Sequence, residues 1–196
     1  MTALALIRHG ATDWSEAGRL QGRADPPLSA AGLAQIAAWR PPPLLDGFTW
    51  MTSPLARARQ TAEHLCGRAA AVEPALIEMA WGAWEGRTLD ALRRELGPEM
   101  ARNEARGLDF RPPGGESPRE VQARLAPWLA RLAGEGRSVA AVTHKGVIRA
   151  VLALATGWDF QAKPPARLDW SCAHLFTLTA DGRPRISRLN LPLASP

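Results

Sequence analysis

Three short stretches of this 196-residue chain end an apolar run in groups suited to holding an anion. LALIRHG brings Arg8 and His9 to the end of one run, and MTSPLAR leads through Ser53 and Pro54 to Arg57. AAVTHKG ends a third run in Thr143 and His144. A strand that merely turns would end in Gly, Pro, Asn, Asp or Ser. A guanidinium grips an oxyanion through paired N–H groups in one plane. A neutral imidazole is a nucleophile near pH 7 once its other nitrogen is held by a hydrogen bond. A helix opening beside Arg57 adds free N–H groups and partial positive charge. Together these describe a site for a tetrahedral dianion, with phosphate the obvious candidate.

Such a site requires the three runs to be neighbouring strands whose carboxyl ends share one edge. The pattern predicts strands over 3–8, 48–53 and 137–144, a short one within 72–79, and a closing pair around 171–178 and 184–190. Helices are expected between them. One follows Ser29 to about Trp39, stopped by Pro41-Pro42-Pro43, and one follows Ser53 as cap with Pro54 in first position. A third follows Thr88 to Leu96, and a short one falls within 97–115. Ser117 and Glu120 form a capping box for the longest helix, which Pro127 should kink. Residues 146–157 form a largely buried last helix, whereas 9–28 read as irregular. Strands alternating with helices mean an α/β fold, a three-layer αβα sandwich around a mostly parallel sheet, as one domain over 1–196. Ligands of open α/β sheets sit beyond the carboxyl ends of the strands.

Composition narrows the partners. The net charge of +5 and pI near 10.4 invite a nucleic-acid reading. Against it, the arginines are scattered and share helix faces with acids such as Glu63 and Glu95, as on a solvated surface. No stretch approaches the roughly 18 apolar residues of a membrane span, and the start lacks a basic leader, so a cytoplasmic protein is expected. Cys66 and Cys172 read as small apolar residues in a reducing compartment, with a single bridge left open. Four histidines without a close pair, and no acid cluster at ligand spacing, give no metal site. The oligomeric state is left open, a homo-oligomer included.

In order along the chain, RHGATDW, GRLQGRADPPLSAAG, SPLARARQTA, EMAWGAWEG, PPGGES and VTHKGVIRAVL resemble the motifs of the histidine phosphatase superfamily. This is the branch of phosphoglycerate mutases, fructose-2,6-bisphosphatases and α-ribazole phosphatases, and the likeness runs from about residue 3 to 155. The resemblance implies a phosphoglycerate mutase-like fold with His9 as a nucleophile that becomes phosphohistidine. Arg8 and Arg57 would clamp the phosphoryl oxygens, and His144, if protonated, would add positive charge. Glu78 would donate a proton to the leaving oxygen, which requires its pKa to be raised by burial or by a neighbouring acid. Gly10, Thr12, Ser15, Gln21, Gly22, Trp81 and Lys145 would join Arg8 and Arg57 around a small phosphorylated substrate. No metal or cofactor is implied; the bisphosphoglycerate of the mutases belongs to that activity.

Bland rivals narrow the set. Arg59 lies about 200° around the helix from Arg57 and is left to solvent. Glu85 competes with Glu78, but the family pattern places the donor first and gives Glu85 a supporting role. His64 and His174 read as structural. Three departures matter: Ser15 stands where relatives carry asparagine, Lys145 where glycine is common, and the stretch between WEG and PPGGES is short. Mutases carry a longer insertion there that shields the phosphohistidine from water. The expected activity is therefore a metal-independent phosphomonoesterase, nearest to α-ribazole and broad-specificity phosphatases. The alternatives are a mutase and a non-catalytic phospholigand-binding relative.

Overall fold

The computed structural model describes residues 2–193. One six-stranded sheet carries β1 (Thr2–Arg8), β2 (Thr49–Thr52), β3 (Ala71–Val72), β4 (Val139–Thr143), β5 (Cys172–Leu178) and β6 (Pro184–Pro192) in the order β3-β2-β4-β1-β5-β6. The pairs β2–β3, β2–β4 and β1–β4 are parallel, and only β5 runs against its neighbours. The expected mostly parallel sheet is therefore present. β1 and β4 lie at its middle, which is why they read as unbroken apolar runs rather than alternating ones.

The period of two in these strands sorts two cores. Leu4, Leu6, Val139 and Ala141 face α6 (Pro118–Glu135) and α7 (Lys145–Thr156), through Val121, Leu125, Trp128 and Val151. Ala5, Ile7, Ala140 and Val142 face α2 (Ala30–Ala37) and α3 (Ala56–Cys66), through Ile36, Ala58, Ala62 and Leu65. These are the two outer layers. Crossovers from β1 and β4 leave on opposite faces, so the gap between these adjacent strands is the topological switch point where ligands bind. Three further helices lie outside the layers: α1 (Asp13–Glu16), α4 (Leu89–Leu96) and α5 (Pro98–Glu104).

Several local expectations need correction. Ser53 does not cap α3: Leu55 holds that position, and the Asp25 carboxylate accepts from Ala56 N at 2.9 Å instead. The Ser53 hydroxyl is engaged elsewhere, as described below. The strand expected within 72–79 shrinks to β3, because Pro74 opens a one-turn 3-10 helix over Pro74–Leu76. Residues 9–28 are not wholly irregular, since Thr12 and Ser15 cap α1 reciprocally. α2 ends at Ala37 rather than Trp39. Pro127 lies inside α6, on its exposed side. The capping box of Ser117 and Glu120 is present, as is the Thr88 cap of α4. Cys66 and Cys172 are both free thiols. No helix among the described residues is long and apolar enough to cross a membrane.

Because Leu125 is fully buried between α6 and the sheet, Leu125→Ala should cost about 2–5 kcal/mol. Urea titration should show a lower midpoint with an unchanged slope; an unchanged midpoint would place α6 outside the core.

Candidate active site

The parallel pairing of β1 with β4 sets Arg8 opposite Thr143, and His9 N–H continues the ladder to Thr143 O at 3.0 Å. His9 and His144 thus leave adjacent strands side by side, their ring centroids 5.1 Å apart. Both rings are buried. His9 Nδ1 lies 2.7 Å from Gly10 O, an acceptor, so the proton sits on Nδ1 and Nε2 is unprotonated. The Nε2 lone pair accepts from Arg57 Nε–H at 3.3 Å. Burial, then the Arg8 and Arg57 charges, hold His9 well below the ordinary histidine range. The imidazole is neutral.

Arg57 is fully buried. Its Nη2 donates to Gly22 O at 2.9 Å and its Nη1 to Ala24 O at 2.8 Å, with Asp25 Oδ1 at 3.4 Å. The same loop is held from its other side by Glu85, whose carboxylate accepts from Arg23 N and Ala24 N at 2.9 and 2.8 Å. The two charged groups grip opposite polarities of one backbone segment. Gly22 has φ +53, and a Cβ there would lie 2.0 Å from Glu85 Oε1, so only glycine fits. Arg8 leaves its Nε buried without a protein partner, while its guanidinium lies 5.9 Å from the Trp170 ring.

His144 sits at the N-cap of α7, with Nε2 2.7 Å from Ser53 Oγ. β2 delivers that serine, because Ser53 N continues the ladder to Val142 O at 3.0 Å. The buried Ser53 hydroxyl accepts from Leu55 N at 3.3 Å and has no acceptor other than His144 Nε2 among the described residues, so its own proton goes to that nitrogen. The imidazole proton then sits on Nδ1, which is buried without a protein partner. Burial first, then the neighbouring positive charges of Arg57, Arg124 and Arg8, keep His144 well below the ordinary range. The cationic His144 considered in the sequence is thus a neutral donor here, because desolvation penalises the charged form.

Glu78 is buried on the strap between the 3-10 helix and residue 80. Thr143 Oγ1 donates to Leu76 O at 2.7 Å, and Arg124 of α6 donates to the Ala75 and Ile77 carbonyls. Glu78 Oε1 accepts from Met79 N at 2.8 Å and from Gly146 N, at the start of α7, at 3.1 Å. Burial raises its pKa despite these N–H groups and the nearby Arg57 and Arg124 charges. Met79 and Gly146, whose N–H groups hold this carboxyl group, line a cleft of about 560 Å³ together with Trp81, Phe110, Arg149 and Phe160 among others.

The remaining predicted positions divide. Gly10 supplies the carbonyl for His9 and sends its N–H to Thr61 Oγ1 at 3.1 Å. Thr12 Oγ1 donates to Gln21 Oε1 at 2.9 Å. The Ser15 hydroxyl accepts from Thr12 N and donates to Thr12 O, at 2.9 and 3.0 Å, so both of its local bonds are spent on the cap of α1. Trp81 lines the cleft and packs edge-on against Phe110. Lys145 is exposed, its Nζ 5.4 Å from the Trp170 centroid. His64 is exposed on α3, and His174 is buried in β5. Sequence reasoning missed Ser53, Thr61 and Gly146 as parts of the site. Only Ser53 carried a signal, and it was absorbed into the expected helix cap.

The family model for the histidine phosphatase superfamily, branch 1, matches residues 4–192. The chain belongs to this superfamily. A Mycobacterium tuberculosis protein named as bifunctional is 34% identical over 96% of this chain and 54% of its own length. The chain therefore spans about half the length of that curated relative. A protein of Beijerinckia indica named as a 2,3-bisphosphoglycerate-dependent phosphoglycerate mutase is 27% identical, covering 91% of this chain and 92% of its own. Among solved structures, the mycobacterial glucosyl-3-phosphoglycerate phosphatase complexed with VO3 superposes with a TM-score of 0.79 at 26% identity, over the whole of both chains. A phosphoserine phosphatase mutant from Entamoeba histolytica gives 0.79 at 25% identity over 97% of each. The superfamily thus includes both phosphatases and mutases similar to this chain.

Ser53→Ala should release His144 from the Nδ1–H tautomer, and ¹⁵N NMR of the imidazole should show the Nδ1 and Nε2 signals moving toward averaging. An unchanged spectrum would mean that another group sets the tautomer. Gly146→Ala would put a Cβ 2.4 Å from Glu78 Oε1. Displacement of the carboxyl group should let its infrared C=O band titrate nearer the ordinary glutamate range.

Proposed function

We propose that this member of the superfamily is a phosphomonoesterase that needs no metal and acts through a phosphohistidine at His9 on a small phosphorylated metabolite. One observation carries the reading. His9 is buried and neutral, with Nδ1–H tied to Gly10 O at 2.7 Å and its Nε2 lone pair facing the Arg57 guanidinium. In the first step Nε2 attacks phosphorus while the bond from phosphorus to the leaving oxygen breaks. Arg8 and Arg57 neutralise the phosphoryl oxygens, and His144 Nδ1–H donates to one of them. Glu78 gives its proton to the departing alkoxide. The phosphohistidine keeps its Nδ1 proton, and the Gly10 carbonyl stabilises the resulting positive ring. In the second step water attacks phosphorus, the P–N bond breaks, and Glu78 takes the water proton. Phosphate leaves with His9 and Glu78 restored.

A mutase is the second reading, supported by the printed names of relatives such as the Beijerinckia protein. The short segment from Arg87 to Arg111, filled by α4 and α5, favours water as the final acceptor because it leaves little chain to cover the phosphohistidine. The phosphatase names of the similar structures point the same way.

With chelator present, wild-type protein should release phosphate from p-nitrophenyl phosphate and from members of a sugar, nucleoside and glycerate phosphate panel. His9→Ala should abolish release, and mass spectrometry should find phospho-His9 in acid-sensitive form in wild type. Silence across the panel with mutase activity on primed 3-phosphoglycerate would favour the second reading. Silence in both would leave a binding protein.

Glu78→Gln should slow phosphorylation by alkyl phosphates about 10²–10⁴-fold. The p-nitrophenol burst should survive, since that leaving group departs without a proton. Glu78 must be protonated for the first step, and its raised pKa keeps that form available to higher pH. Phosphorylation by alkyl esters should therefore decline as pH rises through that raised value. His9 should add no acid limb near pH 6.5, because it stays neutral well below it. An acid limb at that pH in pre-steady-state kinetics, beyond the titration of the substrate phosphate itself at about pH 6, would contradict the assignment.

A further inference from the structure

Glu78 stands on a strap of irregular backbone, residues 77–81, between two 3-10 turns. No helix or sheet ladder holds it in place, yet a proton donor must be held to a fraction of an ångström. One ion pair grips both ends of the strap. Upstream of Glu78, Arg124 of α6 donates from Nη2 to Ile77 O at 2.6 Å and from Nη1 to Ala75 O. Downstream, Glu116 Oε2 accepts from Ala80 N at 3.3 Å, and Glu116 N donates to Ala80 O at 2.9 Å. The two side chains then meet, with Arg124 Nε 2.9 Å from Glu116 Oε1 and Nη2 3.3 Å from Oε2. The loop carrying Glu116 presses closely on the strap, since a Cβ on Gly115 would lie 2.6 Å from Ala80 O. Arg23, from the loop held by Arg57 and Glu85, adds a contact to Glu116 Oε2 at 3.6 Å.

Stability alone does not account for this pair. α6 is already docked on the sheet through Val121, Leu125 and Trp128. The Arg124 and Glu116 side chains are only 20% and 13% exposed, and an ion pair taken that far out of water adds little net stability. Its geometry is specific, because one flat guanidinium fork reaches two carbonyls and a carboxylate at once. Its charge also bears on Glu78. The charged groups acting on that carboxyl group are Arg57 of α3, Arg124 of α6, Arg8 of β1, and Lys145 and Arg149 of α7. All of them favour the carboxylate over the acid. Glu116 offsets the Arg124 charge as Asp25 offsets that of Arg57.

We propose that Glu116 and Arg124 are positioning residues for the proton donor: Arg124 sets where the Glu78 carboxyl group stands, and Glu116 fixes Arg124 and offsets its charge. The inference rests on reading Glu78 as the acid of the first step. It therefore concerns esters whose leaving oxygen needs a proton.

Pre-steady-state phosphorylation of the full chain by n-propyl phosphate and by p-nitrophenyl phosphate separates positioning from mere support. Arg124→Gln should slow reaction with the propyl ester by up to about a hundred-fold, the cost of misplacing a catalytic group by about 1 Å. The p-nitrophenol burst should change less than about two-fold, since that leaving group departs without a proton. Arg124→Lys, which keeps the charge, should recover part of the loss. In a Glu78→Gln background Arg124→Gln should slow the propyl ester no further, because effects carried through one residue do not add. Equal slowing of both esters, or a loss that survives in the Glu78→Gln background, overturns the proposal. Glu116→Gln keeps the side-chain shape and removes one negative charge. It should move the alkaline limb for the propyl ester to lower pH. The Glu78 C=O infrared band, read as the difference from the Glu78→Gln protein, should titrate at lower pH in step. An unmoved band overturns the proposal as well. Absence of turnover of both esters in wild type would count against the phosphatase reading, while the infrared titration would still decide whether Glu116 acts on Glu78.

Discussion

Everything at the site depends on the register of one strand pair. β1 and β4 run parallel at the middle of the sheet, with Arg8 opposite Thr143 and the His9 N–H bonded to the Thr143 carbonyl. Side chains alternate faces along a strand, so a slip of one residue would send the apolar sets of both strands to the wrong layers. Leu4 and Leu6 face one core and Ala5 and Ile7 the other. Burial on both faces therefore locks the register, and the register delivers two histidines together. β2 obeys the same constraint from the other side of β4, and brings Ser53 to His144.

Around that pair the electrostatics are set by burial rather than by matched charges. A fully buried guanidinium such as Arg57 would be costly if left bare. Here it is solvated by the carbonyls of Gly22 and Ala24, with Asp25 at longer range. The result is fixed positive charge with donors already ordered. Desolvation first, and this positive charge second, hold both imidazoles neutral, while desolvation holds Glu78 toward its protonated form. His9 thus keeps the neutral form it already favours in water at neutral pH, while Glu78 is moved away from the ionised form it would favour there. Loop 22–25 and strap 75–80 are pinned by Glu85, Arg57 and Arg124, so little reorganisation separates the free site from one holding a phosphoryl group.

Much of this was legible in the residues. Unbroken apolar runs ending in Arg8-His9 and Thr143-His144 identified central strands and their chemical ends, and the capped helices at Ser29, Thr88 and Ser117 lie where those residues stand. These features are local: a hydrophobic period, a cap or a proline acts within a few residues. What failed was whatever had to be shared over distance. Ser53 has the form of a helix cap, yet its hydroxyl is taken by a histidine 91 residues away, and Asp25 supplies the cap instead. Gly146 looked like an ordinary helical residue until Glu78 was packed against it. The sequence by itself determined which groups are present and which strand ends carry them. Only the tertiary structure decided their protonation, tautomers and partners, because desolvation and hydrogen bonding depend on what the folded chain brings alongside.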